Sequence, residues 1–309
     1  MVFRGRSFID VHDWSAEELQ TILRLASRFK DELAAGVPHP VLAGKALAMI
    51  FEKTSTRTRV SFEVGMMQLG GHALFLSNRD IQLKLGESIP DTARVLGRMV
   101  QGIMARTYAH ATVVDLARWS GVPVINALSD ASHPCQALAA MLTLHEKKGR
   151  LAGLRLAYVG DSNNVTHALL EASAKFGVDM RVGSPAGYQP NADILARAQE
   201  TARATGAQLL VTADPFEAVQ DVDAVYTDTW ASMGQEAEHE VRARALAAYQ
   251  VNAALVRHAQ PDYLFLHCLP AHRGEEVVDD ILDGPHSVVF DEAENRLHTQ
   301  KALLALLMG

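Results

Sequence analysis

Cysteine is nearly absent from this 309-residue chain: only Cys135 and Cys268 occur, far apart and each among polar neighbours. That scarcity excludes a disulfide scaffold and suits reduced thiols in the cytoplasm. Also lacking is any apolar run near the ~20 residues that cross a bilayer, so neither a transmembrane helix nor a membrane partner is expected. Basic charge is not in excess. The net charge is −7, whereas a dedicated nucleic-acid binder would carry a basic face for the phosphates. Any anion site must therefore be local. Residues Met1 to Asp13 have no apolar h-region and bring Asp10 and Asp13 early. They suit neither a secretory signal nor an acid-poor transit peptide, and the mature chain is expected to begin at Met1. Repeats, low-complexity tracts and long linkers are missing too.

What is present is an ordinary globular composition, 48% hydrophobic and 21% charged, over a length that gives two domains at roughly 150 residues each. Short apolar runs alternate with amphipathic segments. Strands are predicted at Ala46 to Phe51, Ala73 to Leu76, Gly102 to Ala105 and Val122 to Ala127, with helices at Ser55 to Leu69, Ser88 to Met99, Thr112 to Trp119 and Pro134 to Lys148. A second series has strands near Arg155, Asp179, Gln208, Ala224 and Tyr263, separated by helices at Asn164 to Phe176, Ala192 to Thr205, a segment reaching Tyr249, and Glu275 to Leu282. Such βα alternation predicts an α/β protein of two doubly wound parallel-sheet domains linked by long helices. The expected division is 1–148 and 149–291, with a last helix at 292–309 packing back on the first domain.

The chemistry gathers at strand ends. Ala46 to Phe51 runs into Glu52, Lys53, Thr54, Ser55, Thr56, Arg57, Thr58 and Arg59, then an apolar-periodic helix. Free backbone N–H groups and the positive dipole end of that helix attract an anion, and hydroxyls with a guanidinium add directed bonds to phosphate oxygens. A plain hydroxyl N-cap with solvated arginines would explain a lone Ser-Thr pair, but not the whole run. Arg106 follows the next apolar run, and His133 and Gln136 follow the one after. A lone Arg or His is more often structural, yet ligands of open α/β sheets bind at the carboxyl ends of strands, where all of these fall.

The second series repeats the placement with Asn164, Asp228, His267 and Cys268. A dinucleotide fold is the rival reading of the Val159-Gly160-Asp161 turn, but G-x-G-x-x-G is absent and the next strand end offers no acid for a ribose. His267 and His272 match half of a zinc pattern with no C-x-x-C pair to complete it, so no obligate metal and no cofactor are expected.

Four segments together are specific: Ser55-Thr56-Arg57-Thr58-Arg59, His133-Pro134-Cys135-Gln136, Asp228 with Ser232-Met233-Gly234, and His267-Cys268-Leu269-Pro270. They resemble, over essentially the whole chain, the aspartate/ornithine carbamoyltransferase family. The first segment suits both branches; the other three point to the ornithine branch. The resemblance implies transfer of a carbamoyl group from carbamoyl phosphate to L-ornithine, giving L-citrulline and phosphate in arginine metabolism. It implies that Ser55, Thr56, Arg57 and Thr58 hold the phosphate, Arg106 bridges phosphate and carbamoyl oxygen, His133 faces that oxygen and Gln136 the amide. Asn164, Asp228, Ser232 and Met233 would hold ornithine, Cys268 and the backbone of Leu269 would line the reacting centre, and Arg296 would reach the carbamoyl group. Gln82 would serve a neighbouring subunit's phosphate site in a homotrimer with sites at subunit interfaces. One departure is Ala140, where the family's His-Pro-Cys-Gln-Ala-Leu-Ala-Asp run would place an acid.

Carbamoyl phosphate is already activated, so positioning and oxyanion stabilisation carry most of the expected work, with Arg106, His133 and Thr58 as donors. A covalent route through Cys268 beside His267 is an alternative, as is a buried cysteine with no chemical role. Asp228 could likewise merely cap the segment that follows it. Other readings of the whole chain are a carbamoyltransferase for another acceptor and a non-catalytic binding protein of the same fold.

Overall fold

The computed structural model of the chain describes residues 3–79, 81–82, 86–231 and 236–309, residue 236 by its backbone alone. The chain divides into two compact units, Met1–Leu142 with Glu294–Gly309, and Thr143–Ala293.

The first unit opens with α1 (Ala16–Ala34), a helix the βα alternation does not reveal. A capping box starts it: Ser15 Oγ accepts from the Glu18 N–H at 3.2 Å, and Glu18 Oε2 accepts from the Ser15 N–H at 2.9 Å. Then come β1 (Ala46–Phe51), α2 (Thr56–Gln68), β2 (His72–Ser77), α3 (Ile89–Leu96), β3 (Gly102–Arg106), α4 (His110–Ser120) and β4 (Val124–Leu128). The sheet order is β2-β1-β3-β4 and every pair is parallel. β1 and β3 are covered on both faces, which is why they read as continuous apolar runs instead of alternating ones.

α5 (Pro134–Lys148) carries the chain into the second unit, whose sheet is built from β5 (Arg155–Val159), β6 (Asp179–Gly183), β7 (Leu209–Thr212), β8 (Ala224–Thr227) and β9 (Leu264–His267). The strand order is β7-β6-β5-β8-β9, again wholly parallel. Helices α6 (Asn164–Phe176), α7 (Ala192–Thr205), α8 (Pro215–Val219), α9 (His239–Leu246), α10 (Ala253–Val256) and α11 (Asp279–Leu282) flank it. α12 (Val289–Met308) begins in this unit and ends in the first. Two doubly wound parallel sheets with flanking helices are therefore present. No helix among the described residues is long and apolar enough to cross a membrane.

The helix expected over Glu275 to Leu282 shrinks to α11. Gly274 sits at φ 86°, and Glu276, instead of facing solvent as a helical residue, is fully buried. Its carboxylate accepts from the His272 N–H at 2.5 Å. A local side-chain-to-backbone bond, with the left-handed turn at Gly274, thus competes with the helix and replaces its first turn.

In each sheet the strand order reverses once, between β1 and β3 in the first unit and between β5 and β8 in the second. The carboxyl ends of such strand pairs open a crevice in the backbone, the usual ligand position of open α/β sheets.

Candidate active site

At the first crevice Ser55 caps α2. Its backbone is extended (φ −166°, ψ 117°), and its Oγ accepts from the Thr58 N–H at 3.2 Å and donates to Thr58 Oγ1 at 3.1 Å. Thr56 and Arg57 open the helix, so their amides lie in the first turn, where no carbonyl of the helix can reach them. Arg106 ends β3 and is buried. The strand runs one residue further than predicted, because the Arg106 carbonyl accepts from the Glu52 N–H at 2.9 Å. His133 precedes α5 and Gln136 lies in its first turn, both buried.

From α12 comes Arg296, whose Nη1 donates to Gln136 Oε1 at 2.6 Å and whose Nη2 donates to Thr58 Oγ1 at 3.3 Å. Gln300, one turn on, is oriented with its amide oxygen toward Arg296 and accepts from Nη2 and Nε at 3.0 and 3.1 Å. Sequence reasoning missed Gln300. On a helix, an inward polar residue looks like an outward one until its partner is known.

His133 is the electrostatic centre of this group. Burial, followed by the charges of Arg296, Arg106 and Arg57, holds its imidazole well below its ordinary pKa, so it is neutral at physiological pH. Its Nδ1 is buried with no hydrogen-bond partner among the described residues. Three guanidiniums around an uncharged imidazole make a strongly anion-seeking site.

The second crevice has the opposite sign. Gly160, at φ 129°, lets the backbone turn out of β5 where a Cβ would lie 3.4 Å from Thr227 Oγ1. Asp228, directly after β8, is buried and held by three donors. Its Oδ1 accepts from the Thr229 N–H at 2.8 Å and the Cys268 thiol at 2.9 Å, and its Oδ2 accepts from Asn163 Nδ2 at 2.7 Å. Asn163 also caps α6, accepting from the Val165 N–H at 2.9 Å. The predicted residue Asn164 is the first of α6. Asp161 pairs with Arg242 of α9 at 2.9 Å. Burial raises its carboxyl to about 6, with Asp228 adding to the rise and Arg242 opposing it. Asn163, Asp161 and Arg242 were not singled out from sequence; for Asn163 its place beside Asn164 after a strand was the available signal.

After β9, the Leu269 N–H donates to His267 Nδ1 at 2.8 Å. That fixes the tautomer: Nδ1 accepts, so the proton is on Nε2, which faces Glu276 Oε1 at 3.2 Å. Leu269 adopts φ 55°, a left-handed conformation that costs a non-glycine residue about 1–3 kcal/mol and that clusters at ligand sites.

Of the predicted residues, Ser55, Thr58, Gln136 and Arg296 are joined by hydrogen bonds, and Arg57, Arg106 and His133 by charge. Asp228 and Cys268 are joined in the second unit. Gln82 is exposed. Ser232 and Met233 lie outside the described residues. Ala140 is fully buried on α5, where an acid would need an added partner.

Two family models match, together over nearly the whole chain: the carbamoyl-phosphate-binding domain of aspartate/ornithine carbamoyltransferase over residues 6–146, and its aspartate/ornithine-binding domain over residues 152–307. The chain belongs to the aspartate/ornithine carbamoyltransferase family. Within that family it is 57% identical over 305 residues to the anabolic ornithine carbamoyltransferase of Pyrococcus furiosus, covering 99% of this chain and 97% of its relative. The ornithine carbamoyltransferase of Symbiobacterium thermophilum is likewise 57% identical, over 306 residues and 99% of both chains. Among solved carbamoyltransferases, the Pyrococcus furiosus structure superposes with a TM-score of 0.97 at 56% identity, covering 100% of this chain and 99% of that one. The Thermus thermophilus ornithine carbamoyltransferase gives 0.89 at 44% identity, covering 98% and 99%.

Proposed function

We propose that this chain is an ornithine carbamoyltransferase: carbamoyl phosphate plus L-ornithine gives L-citrulline plus phosphate. The observation that carries the donor half is His133, buried and neutral among Arg57, Arg106 and Arg296. A carbamoyl phosphate dianion needs positive charge at its phosphate and an uncharged or cationic donor at its carbonyl. In this reading residues 1–148 form the donor domain and 149–291 the acceptor domain. Ser55, Thr56, Arg57 and Thr58 take the phosphate, Arg106 spans phosphate and carbonyl, and His133 with Arg296 donates to the carbonyl oxygen as charge builds on it. Gln136 holds the carbamoyl amide.

On the acceptor side, Asp228 binds the α-ammonium of ornithine together with Asn164, Ser232 and Met233. Cys268 and the Leu269 backbone line the reacting centre. The side-chain amine, once neutral, attacks the carbamoyl carbon. The bond to the phosphate oxygen breaks, and the departing phosphate accepts the amine proton. Because Asp228 meets a second carboxylate of aspartate with like charge, the acidic crevice favours ornithine over aspartate.

The active form in this reading is a homotrimer in which Gln82 of one subunit serves the phosphate site of the next. Support comes from the exposure of Gln82 and from the apolar residues Val60, Met67 and Leu74, exposed on α2 and the edge strand β2. Two free cysteines suit a cytoplasmic enzyme. The direct test is formation of citrulline by the purified chain from carbamoyl phosphate and ornithine, with aspartate as the competing acceptor. Product from aspartate, or none from ornithine, overturns the reading.

A further inference from the structure

We propose that His272, Glu275 and Glu276 bind a divalent transition-metal ion of the zinc and cobalt class. One ligand atom from each of the first three lies within 4.8 Å of the others. His272 Nδ1 and Glu276 Oε2 stand 3.7 Å apart, too far for a hydrogen bond. A tetrahedral ion with ligand bonds of roughly 2.0–2.1 Å spaces its donors about 3.4 Å apart, so the His272–Glu276 pair needs a shift of a few tenths of an ångström and the partly exposed Glu275 side chain closes the remaining gap by rotating.

The second observation is Glu276 itself. Its side chain is fully buried. Oε1 is satisfied by the His272 N–H at 2.5 Å and His267 Nε2 at 3.2 Å, but Oε2 has no hydrogen-bond partner among the described residues. A buried carboxylate oxygen without a donor is destabilising, and a metal cation is the group that would complete it. Glu275 Oε2 lies 3.0 Å from His239 Nε2 at the start of α9, a contact that orients the Glu275 carboxylate.

The frame is already fixed. The Glu275 N–H donates to the His272 carbonyl at 3.0 Å and the Gly274 N–H to the Val277 carbonyl at 2.9 Å. Gln250 Nε2 donates to the Gly274 and Glu275 carbonyls, both at 2.9 Å, and Arg273 is pinned by Asp279 and Asp283 at 2.6 Å each. One imidazole and two carboxylates, with no thiolate, suit zinc, cobalt or nickel by donor type. The ion would cross-link the segment after β9 through His272, Glu275 and Glu276, independently of the acceptor reading above.

A separate set, Asp228, His267 and Cys268, could also hold an ion. It belongs to the acceptor crevice, and its thiol makes the two distinguishable. Cobalt(II) is titrated into the intact chain and followed by visible and near-ultraviolet absorption. Saturable binding with d–d bands and no thiolate charge-transfer band is expected. Binding should weaken at least ~10-fold in His272→Ala, whose side chain is 46% exposed, and in Glu275→Gln. Failure to saturate, a thiolate band that accounts for all the bound cobalt, or unchanged affinity in both variants overturns the proposal.

Discussion

The two units use one scaffold with opposite charge. Each has a parallel sheet with a single order reversal, and each places its polar side chains at the strand ends beside that reversal. In the first unit these are the Arg57 and Arg106 guanidiniums by a neutral imidazole, joined by Arg296 of α12, which Thr58, Gln136 and Gln300 tie down. In the second they are carboxylates, Asp228 tied down by an amide, a thiol and a backbone N–H, and Asp161 by Arg242. The sheet therefore supplies the position, and a few residues after each strand supply the sign of the ligand. Site chemistry and fold are separable in this chain, and the unit-by-unit contrast can be tested.

The strongest test removes positive charge from the first unit. Arg57→Ala or Arg106→Ala should weaken carbamoyl phosphate binding by about 2–5 kcal/mol, roughly 30- to 5,000-fold, by calorimetry. Unchanged affinity would break the donor assignment. Next comes the charge of the second unit. Asp228→Asn keeps size and capping capacity, so a mere cap predicts parental kinetics. A ligand role predicts a fall in kcat/KM for ornithine of about 1.5–3 kcal/mol, some ten- to 150-fold, with donor binding kept.

The contrast extends to acid. In the first unit burial holds His133, His39 and His298 below their ordinary value, so all three favour the neutral form when folded. The unfolded chain protonates them below about 6.5, binding more protons than the folded one, so stability falls as pH drops through that range. For His133 the loss approaches ~1.4 kcal/mol per pH unit. Asp161 in the second unit has the reverse sign. Its carboxyl is raised to about 6, so acid relieves it between its folded value and the unfolded one. Hydrogen exchange at pH 5 and pH 7, corrected for intrinsic rates, should show opening free energies falling in the first unit more than in the second. Equal losses would remove the contrast. The smallest effect belongs to scaffold alone: Ser15→Ala should cost about 1 kcal/mol in urea unfolding through loss of the α1 capping box, with KM for both substrates unchanged.

Much of this was legible in the sequence where one residue's neighbours decide its state. β1, β5, α5, α6 and α7 fall where the apolar runs and their stops place them, because burial on both faces leaves a continuous apolar run. The strand-end position of Arg106, His133, Asp228 and Cys268 followed from the same runs. What escaped depended on distant partners. Asn163 bonds Asp228 and Arg242 bonds Asp161, each across a separation no local window spans, and Gln300, though one turn from Arg296, shows its role only once α12 is known to turn that face inward. α1 was legible yet unread: Ser15 and Glu18 mark its start, and Leu19, Ile22, Leu23, Ala26 and Phe29 mark its buried face.

The two cysteines also divide by unit, which has a practical consequence for labelling. Cys135 is fully buried, its thiol donates to the Asn126 carbonyl at 3.4 Å, and burial pushes it up to about 12. Thiolate-seeking reagents have almost nothing to attack there in the folded chain. Cys268 is only partly buried and sits against Asp228. A fluorophore or spin label added without any mutagenesis should therefore report from a single address, the acceptor crevice, and ornithine should compete with its attachment.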